Sequence, residues 1–385
     1  MKEDIIEFVC VVDKLNIPMD YGEGDYCIRL MGFDRNNLHE STESVKTYFI
    51  DIDYDFFIDF ESVSGYKYVM DHLDNFISNK CYVLLKFYPS NDKHACFYRS
   101  FLSIGEDKFD FKYITIKTLS FQYNKNANIK NQILFNKFIK NTTELSGGDY
   151  FLNINTNSRV ILKAYQVGQG MCSLIHNDDE GFLIDCGAGT PIRRINYDLI
   201  KNNKLSDDIG RLNKVKLILS HLDSDHYRIL SWDANILRKI DEIYIPSGVS
   251  GVFCNEEKIK KLIRYCDYLK INFNSVVLES YRTSPHNGST NKNDNALITL
   301  ISSCNSKILY PGDYSYSNIE RDKNICISSL SNLKYDFLSV PHHGDDESRN
   351  NIFPCKKTWA WLFFLLGITK STIIQDYLQL MLMKK

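Results

Sequence analysis

The chain has 385 residues, with 46 Lys and Arg against 48 Asp and Glu and a formal net charge of −2. That balance excludes a domain that clamps duplex nucleic acid by overall charge, since such domains are basic, and leaves only local patches for the purpose. Hydrophobic residues make up 44%, ordinary for a soluble globular protein, and the length suits two domains or one domain with a large extension.

The opening residues, MKEDIIEF, lack the basic start and long apolar core of a signal peptide. No stretch approaches the roughly 18 apolar residues of a membrane span; the longest candidate runs from Trp359 to Ile368. The eleven cysteines include no CxxC pair and read as reduced thiols of a cytoplasmic protein. Residues 1–155 are read as an N-terminal α+β domain of unknown role. Cys81–Tyr88 and Ala95–Ile104 have strand character, Val69–Ile77 and Gln132–Ile139 have helical spacing, and no catalytic motif is evident. The turn-rich NTTELSGGDY around Gly147 and Gly148 marks the linker.

From residue 156 to 385 the pattern becomes that of an α/β enzyme domain. Arg159–Tyr165, Gly181–Asp185, Val215–Leu219, Ile240–Ile245, Ala296–Ile301, Lys307–Tyr310 and Tyr335–Val340 read as strands. Ile229, Leu230, Ile236, Leu237 and Ile240 recur at helical spacing, and Glu256–Leu269 reads as a helix. Polar residues gather just after the strands, as in α/β enzymes.

Four of the nine histidines fall in two short motifs. In SHLDSDH, the alternate residues His221, Asp223 and Asp225 point one way if the loop is extended, and His226 turns in as a helix begins. Imidazole and carboxylate donors without cysteine suit a catalytic Zn, Mn or Fe site more than a structural one. Further donors are available at Asp313, in YPGD, and at His342 and His343, in VPHHG, each directly after a strand. A carboxylate bridging two cations about 3.5–4 Å apart is the usual way to hold such a pair. Taken singly, each motif is also an ordinary polar turn.

The order VGQG (167–170), LIDCG (183–187), SHLDSDH, YPGD and VPHHG, with Asn293–Leu297 preceding YPGD, resembles the metallo-β-lactamase fold superfamily over residues 159–350. More narrowly it is similar to the ComEC-type DNA-uptake nuclease domain, in which Asp stands where many superfamily members have the second His of HxHxDH. The resemblance implies a four-layer αββα sandwich holding two divalent metal ions, Zn or Mn. His221 and Asp223 would bind one ion, Asp225 and His226 the other. Asp313 would bridge, and His343 would complete the site. Asp185, His342 and Asn295 would orient ligands or contact substrate.

The activity implied is phosphodiester hydrolysis by a metal-bound hydroxide, on a nucleic acid or nucleotide. Alternatives are thioester or lactam hydrolysis, and an impaired interaction or sensor module. The chain departs from the family pattern at Gln166 and Met171, which replace Asp, and at Tyr227 and Arg228, which replace small residues and could narrow the pocket or place a cation near a substrate phosphate. His286 is a further candidate ligand. Lys201–Lys216 and Lys258–Arg264 could meet a substrate backbone or be solvated faces.

After PHHG the family continues with a strand, a glycine turn and a His-Pro. Here the apolar TWAWLFFLLG follows instead. Permissive codons read one base earlier from Thr358 can encode a strand, a Ser-Thr-Gly turn and Asn-His-Pro. Residues from about 358 onward are therefore read as frameshifted, in the gene or its sequencing; a divergent amphipathic tail is the alternative.

Overall fold

The structure, a computed structural model, describes residues 5–22, 26–36, 46–59, 81–103, 105–123, 147–154, 159–168, 170–199, 204–249, 257–273, 275–286, 292–341, 353 and 361–363. The expected helices at 69–77 and 132–139, the PHHG loop with His342 and His343, and nearly all of the segment read as frameshifted lie outside them.

The chain is mixed α/β and strand-rich. Six strands form a closed barrel: β1 (Ile6–Ile17), β2 (Cys27–Asp34), β3 (Tyr48–Asp53), β4 (Cys81–Pro89), β5 (Ala95–Arg99) and β6 (Phe111–Tyr123), in the order β1-β2-β3-β5-β6-β4, with β4 returning to β1. A short helix, α1 (Tyr54–Asp59), follows β3. In β1, Phe8 through Val12 are all buried. Phe8, Cys10 and Val12 join one core and Val9 and Val11 another, because successive side chains of a strand point to opposite faces.

The second sheet has twelve strands. These are β7 (Gly148–Ile154), β8 (Ile161–Ala164), β9 (Cys172–His176), β10 (Glu180–Cys186), β11 (Lys214–Ile218), β12 (Ile240–Pro246), β13 (Ile263–Phe273), β14 (Val276–Arg282), β15 (Leu297–Ser302), β16 (Lys307–Tyr310), β17 (Phe337–Ser339) and β18 (Trp361–Phe363). Their order runs sequentially from β8 to β18, with β7 added beside β13. The sheet therefore begins at Gly148, ahead of the division expected near residue 155. β18 pairs in parallel with β17, so Trp361–Phe363 completes the edge.

Three cores lie on the two faces of this sheet. Leu183, Leu217 and Ile243 pack against α2 (Leu205–Arg211), α3 (Ser224–Trp232) and α4 (Ala234–Lys239) through Leu205, Ile209, Ile229, Leu230 and Ile236. The opposite parity, Phe182, Ile184, Ile218 and Tyr244, shares a central core with Leu278, Leu297, Ile301 and Tyr310. The sheet is thus folded so that its two halves meet. Ile298, Leu300, Leu309 and Leu338 form the third core with Tyr316, Ile319, Ile327 and Leu330. Strands buried on both faces explain the nearly continuous apolar runs.

Two expectations need correction. Glu256–Leu269 is not one helix: only Glu257–Lys260 is helical, and β13 follows. Ile259, Leu262, Ile263, Cys266 and Leu269 fit helical spacing, but β13 is hydrogen-bonded to β12, β14 and β7, and that tertiary pairing overrides local periodicity. The helical run after His226 is likewise broken. Asp233 ends α3 and caps α4 by accepting from Asn235 N and Ile236 N, while Ile240 begins β12, as its strand character predicts.

The barrel is docked on the sheet domain through buried polar contacts. Arg194 N donates to Asp20 Oδ1 at 3.2 Å and its Nη1 to Arg99 O at 2.7 Å. Its guanidinium also lies over the Tyr98 and Tyr21 rings, and Leu102 N donates to Ser231 O.

Candidate metal centre

β10 and β11 run parallel and adjacent, so their C-terminal ends open on the same edge, the usual place for an α/β site. Asp185, next to last in β10, has φ 55°, a conformation that is uncommon outside glycine and concentrates at functional sites. Its carboxylate is fully buried and accepts from Ser220 N at 2.7 Å, Ser220 Oγ at 2.9 Å and His226 Nδ1 at 2.8 Å. The imidazole of His226 is thereby fixed with Nε2 facing the other way.

Gly187 is required here by close approach, since a Cβ would fall 1.6 Å from Asp225 O. At Gly312 (φ +62°) a Cβ would stand 2.7 Å from Ser220 Cβ. This lets the turn after β16 press Asp313 against the histidines. A backbone bond from Leu297 N to Ser220 O at 2.7 Å ties β15 to the same loop.

Asp313 lies between the two imidazoles. Its Oδ1 is 3.2 Å from His226 Nε2, and its Oδ2 is 3.4 Å from His221 Nε2. One donor atom from each of His221, His226 and Asp313 lies within 4.8 Å of the others, and all three residues are buried. Ligands about 2.0–2.2 Å from a tetrahedral metal stand roughly 3.4 Å apart, so the spacing fits a shared cation. So does His221 Nε2, which is buried and makes no hydrogen bond of good geometry among the described residues.

Burial pushes the Asp313 carboxyl up, but the charges of His226 and His221 outweigh it and hold it well below the usual range. Burial likewise opposes charge on His226, yet Asp313 and Asp185 raise its pKa well above the ordinary value.

Asp223 and Asp225 flank this group. Asp223 Oδ2 is 3.9 Å from His221 Nε2, and both carboxylates are held by a residue that sequence reasoning missed. Lys14 of β1 places Nζ 2.8 Å from Asp223 Oδ2 and 3.0 Å from Asp225 Oδ1. Burial disfavours its charge, but the two aspartates more than offset this and its pKa is raised. A lone lysine in a strand read as part of a domain without catalytic motifs offers no signal from sequence. The local mark is structural: the β1–β2 register shifts between Val12 and Lys14, and such bulges re-aim side chains beside functional sites.

The remaining candidates are placed elsewhere. Asn295 Oδ1 accepts from Arg282 at 3.0 Å, a contact outside the histidine group. His286 is exposed and is not among the clustered donors. Tyr227 and Arg228 are buried and serve docking of the barrel. Tyr227 stacks on Phe101, and the Arg228 charge helps to lower the Asp20 carboxyl. Met171 packs in the central core. Lys216 pairs with Asp241 and Glu242, and Arg264 with Glu242, in one partly buried ion-pair group.

Asp185→Asn is expected to weaken metal binding about 10–100-fold, the usual cost of losing a carboxylate that orients a ligand histidine. A titration of metal-stripped protein followed by calorimetry measures it; affinity equal to wild type would remove Asp185 from the centre.

No protein-family model and no curated protein matches the sequence. Similar solved structures include a diiron β-hydroxylase from Streptomyces venezuelae, at 12% identity over 49% of this chain and 35% of that one, with a TM-score of 0.31. A metallo-β-lactamase fold protein from Bacillus subtilis is 14% identical over 44% of this chain and 62% of its own, with a TM-score of 0.25. A possible metal-dependent hydrolase from Veillonella parvula is 12% identical over 48% of this chain and 71% of its own, with a TM-score of 0.28. The chain thus spans about a third of the hydroxylase's length, and likenesses this distant fix neither the fold nor an activity.

Proposed function

We propose that this chain is a metal-dependent hydrolase of the metallo-β-lactamase superfamily, of the ComEC type, that cleaves phosphodiester bonds in a nucleic acid or nucleotide. The observation that carries the reading is the buried group of His221, His226 and Asp313, oriented from behind by Asp185. The ordered motifs support the superfamily, and the three cores on a folded sheet support a four-layer αββα sandwich. Among the described residues no helix is long and apolar enough to cross a membrane.

In this reading Asp313 stands between two cation positions, one on the His221 and Asp223 side and one on the Asp225 and His226 side. His343 would add a donor from outside the described residues. A divalent ion there would acidify a water ligand and offset charge developing on a phosphoryl oxygen. Carboxylate-rich donors suit Mn as well as Zn. The chain's own part is to fix the donors. Asp185 and Ser220 set the His226 ring, and Gly187 and Gly312 let two backbones approach.

The test is metal analysis of the purified protein with assays on bis(p-nitrophenyl) phosphate and single-stranded DNA, for wild type and Asp225→Ala. Bound divalent metal, chelator-sensitive cleavage and an inactive variant are expected. A protein that takes up no metal sinks every hydrolase reading. Bound metal without phosphodiester cleavage moves the assignment to thioester or lactam substrates.

A further inference from the structure

We propose that Lys14 is a resident cation of the metal centre: its ammonium holds the Asp223 and Asp225 end, so a first divalent ion is shared by His221, His226 and Asp313, and the two-ion arrangement, in which the histidines divide between the ions, forms only when Lys14 is displaced. The inference rests on the metal-dependent reading above and adds to it the residue that sets how many ions the site takes.

The ammonium bridges two carboxylates at 2.8 and 3.0 Å, at the N-terminal end of α3 beside the histidines. A hard divalent ion would seek the same pair of oxygens. Two cations cannot share them without strong repulsion: a unit and a double charge about 4 Å apart weaken binding by more than about tenfold even with water-like screening.

The placement is built into the barrel. The β1–β2 register shifts between Val12, opposite Leu30, and Lys14, opposite Arg29. Arg29 in turn is fixed to Asp51 and Asp20, and Asp20 accepts from Arg194 N of the sheet domain. The lysine therefore reaches the site from a strand held at both ends of that chain of contacts. Among the described residues, the barrel thus adds Lys14 to a centre whose histidines and aspartates come from the second sheet and its connections.

Calorimetric titration of chelator-stripped full-length protein with Mn2+ tests this on wild type, Lys14→Met and Lys14→Arg. Wild type should take one ion tightly and a second weakly. Lys14→Met, which keeps length and loses charge, should leave the first unchanged and tighten the second by more than about tenfold. Lys14→Arg should restore weak second binding, which a merely loosened barrel would not do. Wild type binding two ions equally tightly, or Lys14→Met gaining nothing at the second, overturns the role of Lys14 alone. Failure of all three proteins to bind Mn2+ overturns the metal-dependent reading, and this inference with it.

Discussion

Asp313→Asn is expected to lose metal binding by well over 100-fold and to abolish metal-dependent hydrolysis, while the protein stays folded. Losing a group that only orients a ligand costs about 10–100-fold, and Asp313 is itself a donor facing both imidazoles, 3.2 and 3.4 Å away. The substitution preserves shape, so the turn at Gly312 and the contact with Ser220 are retained. The charge is removed, and with it the oxygen that would have bridged the cations. Calorimetry of metal binding and circular dichroism together decide the outcome. A folded Asp313→Asn protein that still binds metal as wild type does would place the centre elsewhere.

Much of this site was readable in the sequence because each donor motif follows an apolar strand. SHLDSDH comes directly after β11 and YPGD after β16. What no spacing could show is that the sheet folds back, so that a loop after β11 and a turn after β16 meet. Asp223 and Asp225 were legible as carboxylates but not their partner, because Lys14 is distant in sequence and its orientation depends on a bulge. Tyr227 and Arg228 were legible as departures from the family pattern. Their cause was not, since it lies in the barrel surface they pack against. His342 and His343 are outside the described residues, and their part in the site stays a proposal.

The barrel's contribution to stability is expected to concentrate in one buried charge cluster, and Arg29→Met tests it. Arg29 is fully buried. Its Nε and Nη2 donate to Asp51 at 2.6 and 2.7 Å, and Nη2 is 3.0 Å from Asp20 Oδ2. Tyr98 Oη donates to both carboxylates. Removing one partner of a buried pair leaves the other charge uncompensated and costs about 3–5 kcal/mol. Arg29→Met should lower stability by that order in chemical denaturation, and adding Asp51→Leu should recover part of it, because the orphaned carboxylate goes too.

The pH dependence follows from Asp20. Burial pushes its carboxyl up, but Arg29, Arg228 and Arg194 outweigh this and hold it below the ordinary 3.8. A folded-state pKa below the unfolded value stabilises fully above about pH 4 and is lost as pH falls through the folded value. Without Arg29 burial dominates and the Asp20 pKa rises, so the folded variant takes up a proton more readily than its unfolded chain. The stability gap between wild type and Arg29→Met should therefore narrow as pH is lowered from 7 toward about 4. A gap constant over that range would mean that Arg29 acts through packing alone, and that the cluster joining barrel to sheet is not held by charge.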